Sequence, residues 1–426
     1  MTDRRFIAWV LGSAVALAAL VALFNAFVDP YLGFGRPRSA GFNDLKPAVS
    51  THEPLLKANL AARAVPRTVV LGSSRSGIGI RPDSDSWPAE AKPVHNLSVV
   101  GTDLGQQLRY LYLVAGRADQ PARPDQVVVG LDFESFLFST RGAVRRQNAP
   151  PDEQQARLAA LTAGGGAARW QHLADGAVAT LTLDALFSSV ATVFASARRA
   201  GNDLSDAGAT SEWQLATWER SDGAYSLFEQ KLALSARQLG GGHFQLGPVL
   251  VASSLDPERV LMKDVTELLN WAQQHSVSVT LMLQPSHGSQ LLLLEALGFW
   301  PGYERWKRAV MAEVSRAQGQ GAKVSLWDFG GFEREFSEPV LPRQATGLQW
   351  FWDPVHYKSK LGDRMVATTQ GTANAPHLSQ EPLTPATLEA RLAAVRAGKK
   401  AWSDANPQTV NDITRWLPAR KLMGPS

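Results

Sequence analysis

Two short stretches of this chain hold residue types that can do nucleophilic chemistry together. The first is Val70-Leu71-Gly72-Ser73-Ser74-Arg75-Ser76, where a buried apolar run breaks into small and hydroxyl residues. A serine on a tight turn after a buried strand projects its hydroxyl at the carboxyl edge of a sheet, and Gly72 lets the backbone turn closely there. A Gly-Ser-Ser turn is also a good cap for a following helix, so both uses stand open. The strained elbow of one large hydrolase class needs glycine two positions after the serine, where this chain has Ser76. The second stretch is Trp352-Asp353-Pro354-Val355-His356-Tyr357, followed by Leu361 and Gly362. A serine hydroxyl is a poor nucleophile until an imidazole takes its proton, and the imidazole works best with a carboxylate fixing its tautomer. Asp353 and His356, three apart across a proline turn, supply both from one loop, although so short a motif also arises without any catalytic use.

Elements that would carry these residues alternate along the chain. Short apolar runs at Thr68–Leu71, Val94–Leu97, Val127–Leu131, Val277–Leu283 and Val324–Trp327 read as strands, several of them near-continuous, as strands covered on both faces should be. Helical patterns fall between them at Leu104–Arg117, Asp264–His275 and Tyr303–Gln318. The alternation predicts a parallel sheet sandwiched by helices, with ligands beyond the carboxyl ends of the strands. A stretch from Arg141 to about Gly247, rich in Ala, Gly, Leu and Gln, reads as a helical insertion beside the sheet. Within it, Leu181–Ala200 has Asp184 near its start and Arg198 and Arg199 at its end, so the expectation is a buried amphipathic helix and not a second span. The predicted division is an anchor at 1–28, an entry segment at 29–66, a sheet domain at 67–365 and a helical extension with a polar tail at 366–426.

From Phe6 to Val28 the chain has no charged residue. These residues, as a helix, span roughly 34 Å, against about 30 Å for a hydrocarbon core. The apolar run exceeds the core of a cleaved signal peptide, and no small-x-small site precedes Asp29. Arg4 and Arg5 directly before the run favour an N-terminus inside, which puts the bulk of the chain on the extracytoplasmic side.

The composition closes off several classes of function. With 45% hydrophobic residues, 13 Trp and 17 Phe the 426-residue chain can bury a core, so wholesale disorder is excluded. A net charge of +4, from 43 Lys and Arg against 39 Asp and Glu, gives no nucleic-acid footprint. The chain has no cysteine, which removes thiol catalysis, thiolate zinc sites and iron–sulfur clusters together. His52, His95, His172, His243, His275 and His377 show no paired ligand spacing, so no metal site and no cofactor is expected.

Taken in order on an alternating fold, the motifs resemble the SGNH (GDSL-type) hydrolase superfamily. Gly72-Ser73-Ser74 matches its serine block, Gly101 stands where its second block has glycine, and Asp353 with His356 matches its late D-x-x-H block. Gly130-Leu131-Asp132-Phe133 falls at the third block, but Asp132 replaces the family's asparagine. The resemblance covers roughly Val69 to Gly362. It implies a three-layer flavodoxin-like parallel sheet, Ser74 as nucleophile, His356 as general base and then acid, and Asp353 as its orienting partner. It also implies an oxyanion site from the N–H groups of Ser74 and Gly101, with position 132 as the third donor, a task for which an ionised Asp132 is unsuited.

The anchor, Val28-Asp29-Pro30-Tyr31, Gly-Ser-Ser-Arg and the late Trp-Asp-x-x-His-Tyr are similar in plan to membrane-tethered envelope proteins of alginate O-acetylation and teichoic-acid D-alanylation. That likeness implies a serine esterase or O-acyltransferase on an acylated glycan or envelope polymer, with envelope proteins as partners. The alternative is a catalytically weak module of the same fold that binds a polysaccharide or scaffolds an envelope complex. Three neighbours complete the candidate site. Arg75 would clamp an anionic substrate or close a salt bridge, His287 would touch substrate or be merely solvated, and Trp352 would stack on a sugar ring or pack in the core.

Overall fold

A computed structural model describes residues 3–116, 123–140, 153–247, 256–342 and 347–417. The first part of the predicted insertion, 141–152, and the end of the polar tail, 418–426, lie outside the described residues. The chain forms two compact units, one from residues 1–64, 112–121 and 151–214, the other from 65–111, 122–150 and 215–426. This differs from the predicted division. The 29–64 segment and the helices up to residue 214 form one body with the N-terminal helix, whereas residues 215–247 and 366–426 belong to the unit that holds the sheet.

The sheet unit has strands β1 (Thr68–Leu71), β2 (Val94–Asn96), β3 (Gln126–Leu131), β4 (Leu137–Ser139), β5 (Phe244–Leu246), β6 (Ser278–Leu283) and β7 (Val324–Asp328). Five of them form a parallel sheet in the order β2-β1-β3-β6-β7, and β4 pairs antiparallel with β5 in a separate ribbon. Both sheet faces are covered, as the near-continuous apolar runs require. Val70, Val128, Met282 and Trp327 point to one face and cluster with Leu361, Met365 and Val366 of the helix Ser359–Gln370. Val69, Leu71, Val129, Leu281 and Leu326 are buried on the other. On that second face Asp328 receives Lys307 Nζ at 2.7 Å from the helix Trp300–Gly319. The chain winds from β1 outward to β2 but from β3 outward through β6 to β7, so the β1/β3 edge is where connections diverge and a crevice opens.

In the other unit the helix Asp3–Val28 is long and apolar enough to cross a membrane, with a mean hydropathy of 2.4 over its most apolar window and none of that window buried. It stops where the sequence says it should. Asp29 takes a left-handed backbone (φ 53°), and its carboxylate accepts the N–H groups of Phe34 at 3.1 Å and Arg36 at 3.1 Å. Lys46 Nζ, fully buried, donates to the last carbonyls at Val28 (3.0 Å) and Asp29 (2.9 Å), a cation at a helix C-terminus. Burial pushes this amine down to about 8. Tyr31 and Leu32 are buried with Val49, Leu56, Ala179, Ala185 and Leu204, so the segment after the anchor is packed and not an extended linker.

Candidate active site

The two serines of the first motif divide its two tasks. Ser73 is the N-cap of the short helix Ser74–Gly79, and its Oγ accepts the N–H of Arg75 at 3.3 Å. Ser74 is therefore free of capping duty, and its half-exposed Oγ lies 2.9 Å from His356 Nε2. The turn before it needs glycine. Gly72 sits at φ 154°, and a Cβ there would lie 2.4 Å from Ser76 Oγ. A Cβ on Gly130 would meet Gln284 Nε2 at 1.8 Å and Ser76 Oγ at 2.2 Å, because Gln284 Nε2 donates to Ser76 Oγ at 2.9 Å across that gap.

The Asp-Pro-Val-His turn is the tip of a small hairpin. Phe351 bridges Tyr357, Trp352 N–H donates to His356 O at 2.9 Å, and Lys358 N–H donates to Trp350 O at 2.7 Å. Glu338 clamps the incoming strand, its carboxylate accepting the N–H groups of Gln349 (2.7 Å), Trp350 (2.7 Å) and Phe351 (3.1 Å). At the tip Asp353 Oδ2 lies 2.7 Å from His356 Nδ1. Its other oxygen accepts the N–H groups of Val355 at 2.8 Å and His356 at 2.9 Å. Burial works against the Asp353 charge, but His356 and the N–H of Val355 outweigh it and hold the carboxyl at about 2. Asp353 is thus an anion at neutral pH, and a proton on Nδ1 leaves Nε2 free to accept one from Ser74.

The N–H groups of Ser74 and Gly101 are both unengaged among the described residues. Ser74 N–H opens a helix and has no carbonyl four residues back to bond within it. Among the described residues neither this N–H nor that of Gly101, which has φ 69° and an open surrounding, donates to another group. Both backbone donors are therefore available to a ligand.

Asp132 is occupied elsewhere. Ser73 Oγ donates to its Oδ2, and Arg75 Nη1 lies 3.2 Å from its Oδ1 as an ion pair without hydrogen-bond alignment. Arg75 Nη2 also lies 3.0 Å from Glu134 Oε1. Burial pushes the Asp132 carboxyl up, while Arg75 and Ser73 pull it back. Asp132 thus has both oxygens turned to neighbours, Ser73 and Arg75. It fixes the turn through Ser73, with its charge compensated from one side.

The structure turns all three neighbours inward. Arg75 is buried between Asp132 and Glu134, so it closes a salt bridge and does not reach out as a clamp. His287 has no exposed surface. Its Nε2 lies 2.8 Å from Glu338 O, its Nδ1 accepts Ser289 N–H at 3.2 Å as a helix cap, and its backbone N–H holds Pro354 O at 2.9 Å. Burial pushes this imidazole down to about 4, so it is a neutral brace behind the Asp-Pro-Val-His turn. Trp352 is buried too, with Lys358 Nζ 3.9 Å from its ring centroid. Lys358 is itself held by Leu348 O at 2.7 Å and Glu219 at 3.0 Å.

Several working residues were not singled out from sequence. Ser73 was hidden behind Ser74, and Glu134, Gln284 and Glu338 had no motif. Asn96 ties the end of β2 to the helix Ser74–Gly79, its Nδ2 donating to Ser76 O and Ile80 O at 2.8 Å each. Its position at the end of an apolar run was the one signal that could have found it. Among the described residues no three His, Asp or Glu side chains converge as a metal site needs. A small cavity lined by Phe228, His287, Trp402 and Asp412 includes none of Ser74, Asp353 and His356. No protein-family model, no curated protein and no solved structure matches this chain.

Proposed function

We propose that this chain is a membrane-anchored serine esterase or O-acyltransferase of SGNH type, with a flavodoxin-like core, acting on an acylated envelope polymer or glycan outside the cytoplasm. The observation that carries the reading is the continuous relay Ser74 Oγ – His356 Nε2, 2.9 Å, and His356 Nδ1 – Asp353 Oδ2, 2.7 Å. The order of the five parallel strands and the place of Ser74 at the edge where their connections diverge support it.

In this mechanism Ser74 Oγ attacks the acyl carbonyl as His356 Nε2 takes its proton, and Asp353 stabilises the resulting imidazolium. The N–H groups of Ser74 and Gly101 receive the oxyanion, each such donor being worth about 2.7–4 kcal/mol in the transition state. Collapse expels the donor alkoxide, which takes the proton from His356, and leaves acyl-Ser74. His356 then deprotonates water or an acceptor hydroxyl, which attacks the acyl-serine and returns the enzyme. The chemistry needs no group beyond these side chains and backbone donors.

The test is labelling by a fluorophosphonate, which reacts only with activated serines. Wild type is expected to label, and Ser74→Ala and His356→Ala to lose labelling while remaining folded by circular dichroism. A folded wild type that fails to label would favour the binding-module alternative.

A further inference from the structure

The helix Leu183–Arg198 is turned inside out with respect to a soluble protein. Its buried face is Ala185, Ser189, Thr192 and Ser196, small and largely polar. Its exposed face is Leu183, Phe187, Val190 and Phe194, with Phe187 71% and Leu183 71% exposed. Both sets follow the spacing of one helical face, so the segment is amphipathic, as its sequence predicts. The expectation that its apolar face is the buried one is overturned.

Two observations say what covers that face. The helix and its predecessor, Gly165–Leu181, pack against the anchor within one compact unit, and Asn25 Nδ2 in the anchor's last turns donates to Thr180 O at 2.9 Å. Just past the anchor, Tyr31 Oη bonds Asp184 and lies 3.1 Å from Ser188 Oγ, which fixes the start of the inside-out helix where the span ends. Arg198 and Arg199 then stand at its far end. A helix of 16 residues is about 24 Å long, too short to cross about 30 Å of hydrocarbon. The bend of 64° at its junction with Gly165–Leu181 stops the pair from acting as one straight span.

We propose that Leu183–Arg198 lies along the membrane interface, Leu183, Phe187, Val190 and Phe194 facing the acyl chains and Arg198 and Arg199 among the headgroups, as a second, monotopic contact beside the anchor. This rests on the anchor crossing the bilayer and is independent of the catalytic reading. A single-pass helix alone leaves the attached body free to swivel and tilt. A second contact set against the anchor's exit fixes how that body meets the membrane.

The absence of cysteine makes single-site labelling unambiguous. Full-length Phe187→Cys, Phe194→Cys, Leu17→Cys and Lys400→Cys would each carry a bimane fluorophore in phosphatidylethanolamine–phosphatidylglycerol vesicles, with and without spin-labelled lipid. The expected result is blue-shifted, lipid-quenched emission at 187, 194 and 17, and solvent-like, unquenched emission at 400. Quenching at 17 without quenching at 187 and 194 overturns the inference and leaves the anchor standing. Blue-shifted but unquenched emission at 187 and 194 marks a protein contact and overturns it too. No quenching at 17 overturns the anchor reading and this inference with it.

Discussion

Ser73 and Ser74 are the same residue type one position apart, and their different fates come from the helix that begins between them. Ser73→Ala removes both the cap and the donor to buried Asp132, and is expected to cost about 1–3 kcal/mol of stability in denaturant unfolding while fluorophosphonate labelling persists. Asp353→Asn keeps the shape of the turn but removes the charge that fixes the imidazole, and should lower turnover by about 10⁴-fold. The pH dependence follows from the same carboxylate. Its folded value near 2 lies below the ordinary 3.8, so its contribution to stability is present above about pH 4 and is lost as pH falls towards 2. An acid limb in the rate profile above pH 4 would therefore belong to another group. Asp132→Asn installs the asparagine of the SGNH pattern, yet turnover is expected not to rise, because the side chain at 132 is held by Ser73 and Arg75. Stability should fall by about 1–3 kcal/mol, since a buried charge loses one of its partners. A marked gain in rate would show that the carboxylate had been a defective oxyanion donor.

At the scale of elements, the apolar runs located all five sheet strands, most plainly β1, β3 and β6, which are buried along almost their whole length and so leave a near-unbroken signal. The ribbon of β4 and β5 was invisible, being three residues a side with partners far apart in sequence. The serine and the Asp-x-x-His turn were legible as types and spacing. What could not be read was which neighbours work outward and which work inward. Arg75, His287 and Trp352 are all close to the motifs, but tertiary ion pairs, a helix cap and a stacked lysine turn them towards the protein.

The fit between the two motif-bearing elements is equally a matter of packing. A Cβ on Gly79 would lie 2.1 Å from the Tyr357 ring, and one on Gly362 would lie 1.8 Å from Gly79 O. Gly79→Ala should thus push the Ser74 helix off the His356 turn, costing about 1–3 kcal/mol or more and reducing labelling together with the unfolding midpoint. Gly101→Ala meets open space and pays only for its left-handed backbone, about 1–2 kcal/mol. The contrast between the two, measured in one denaturant series, separates close approach from backbone strain.

For the whole molecule the governing question is which side of the membrane the sheet unit occupies, because an acyltransferase for envelope polymers is useful only outside. Arg4 and Arg5 abut the apolar helix at its start, whereas Arg36 is folded back through its backbone onto Asp29 and Arg38 is paired with Asp203 and Asp206. Arg4 and Arg5 are the basic residues set directly against the apolar run, the arrangement that would place the N-terminus inside. Single cysteines at Asp3 and Lys400 report the two sides, since both positions are exposed and the chain has no other thiol. In right-side-out vesicles a membrane-impermeant maleimide should label Lys400→Cys and spare Asp3→Cys, and in inverted vesicles the pattern should reverse. The opposite pattern would put Ser74 in the cytoplasm, where the esterase chemistry could stand but an extracytoplasmic substrate could not. Equal labelling of both sites in sealed vesicles would mean that the helix Asp3–Val28 does not cross at all.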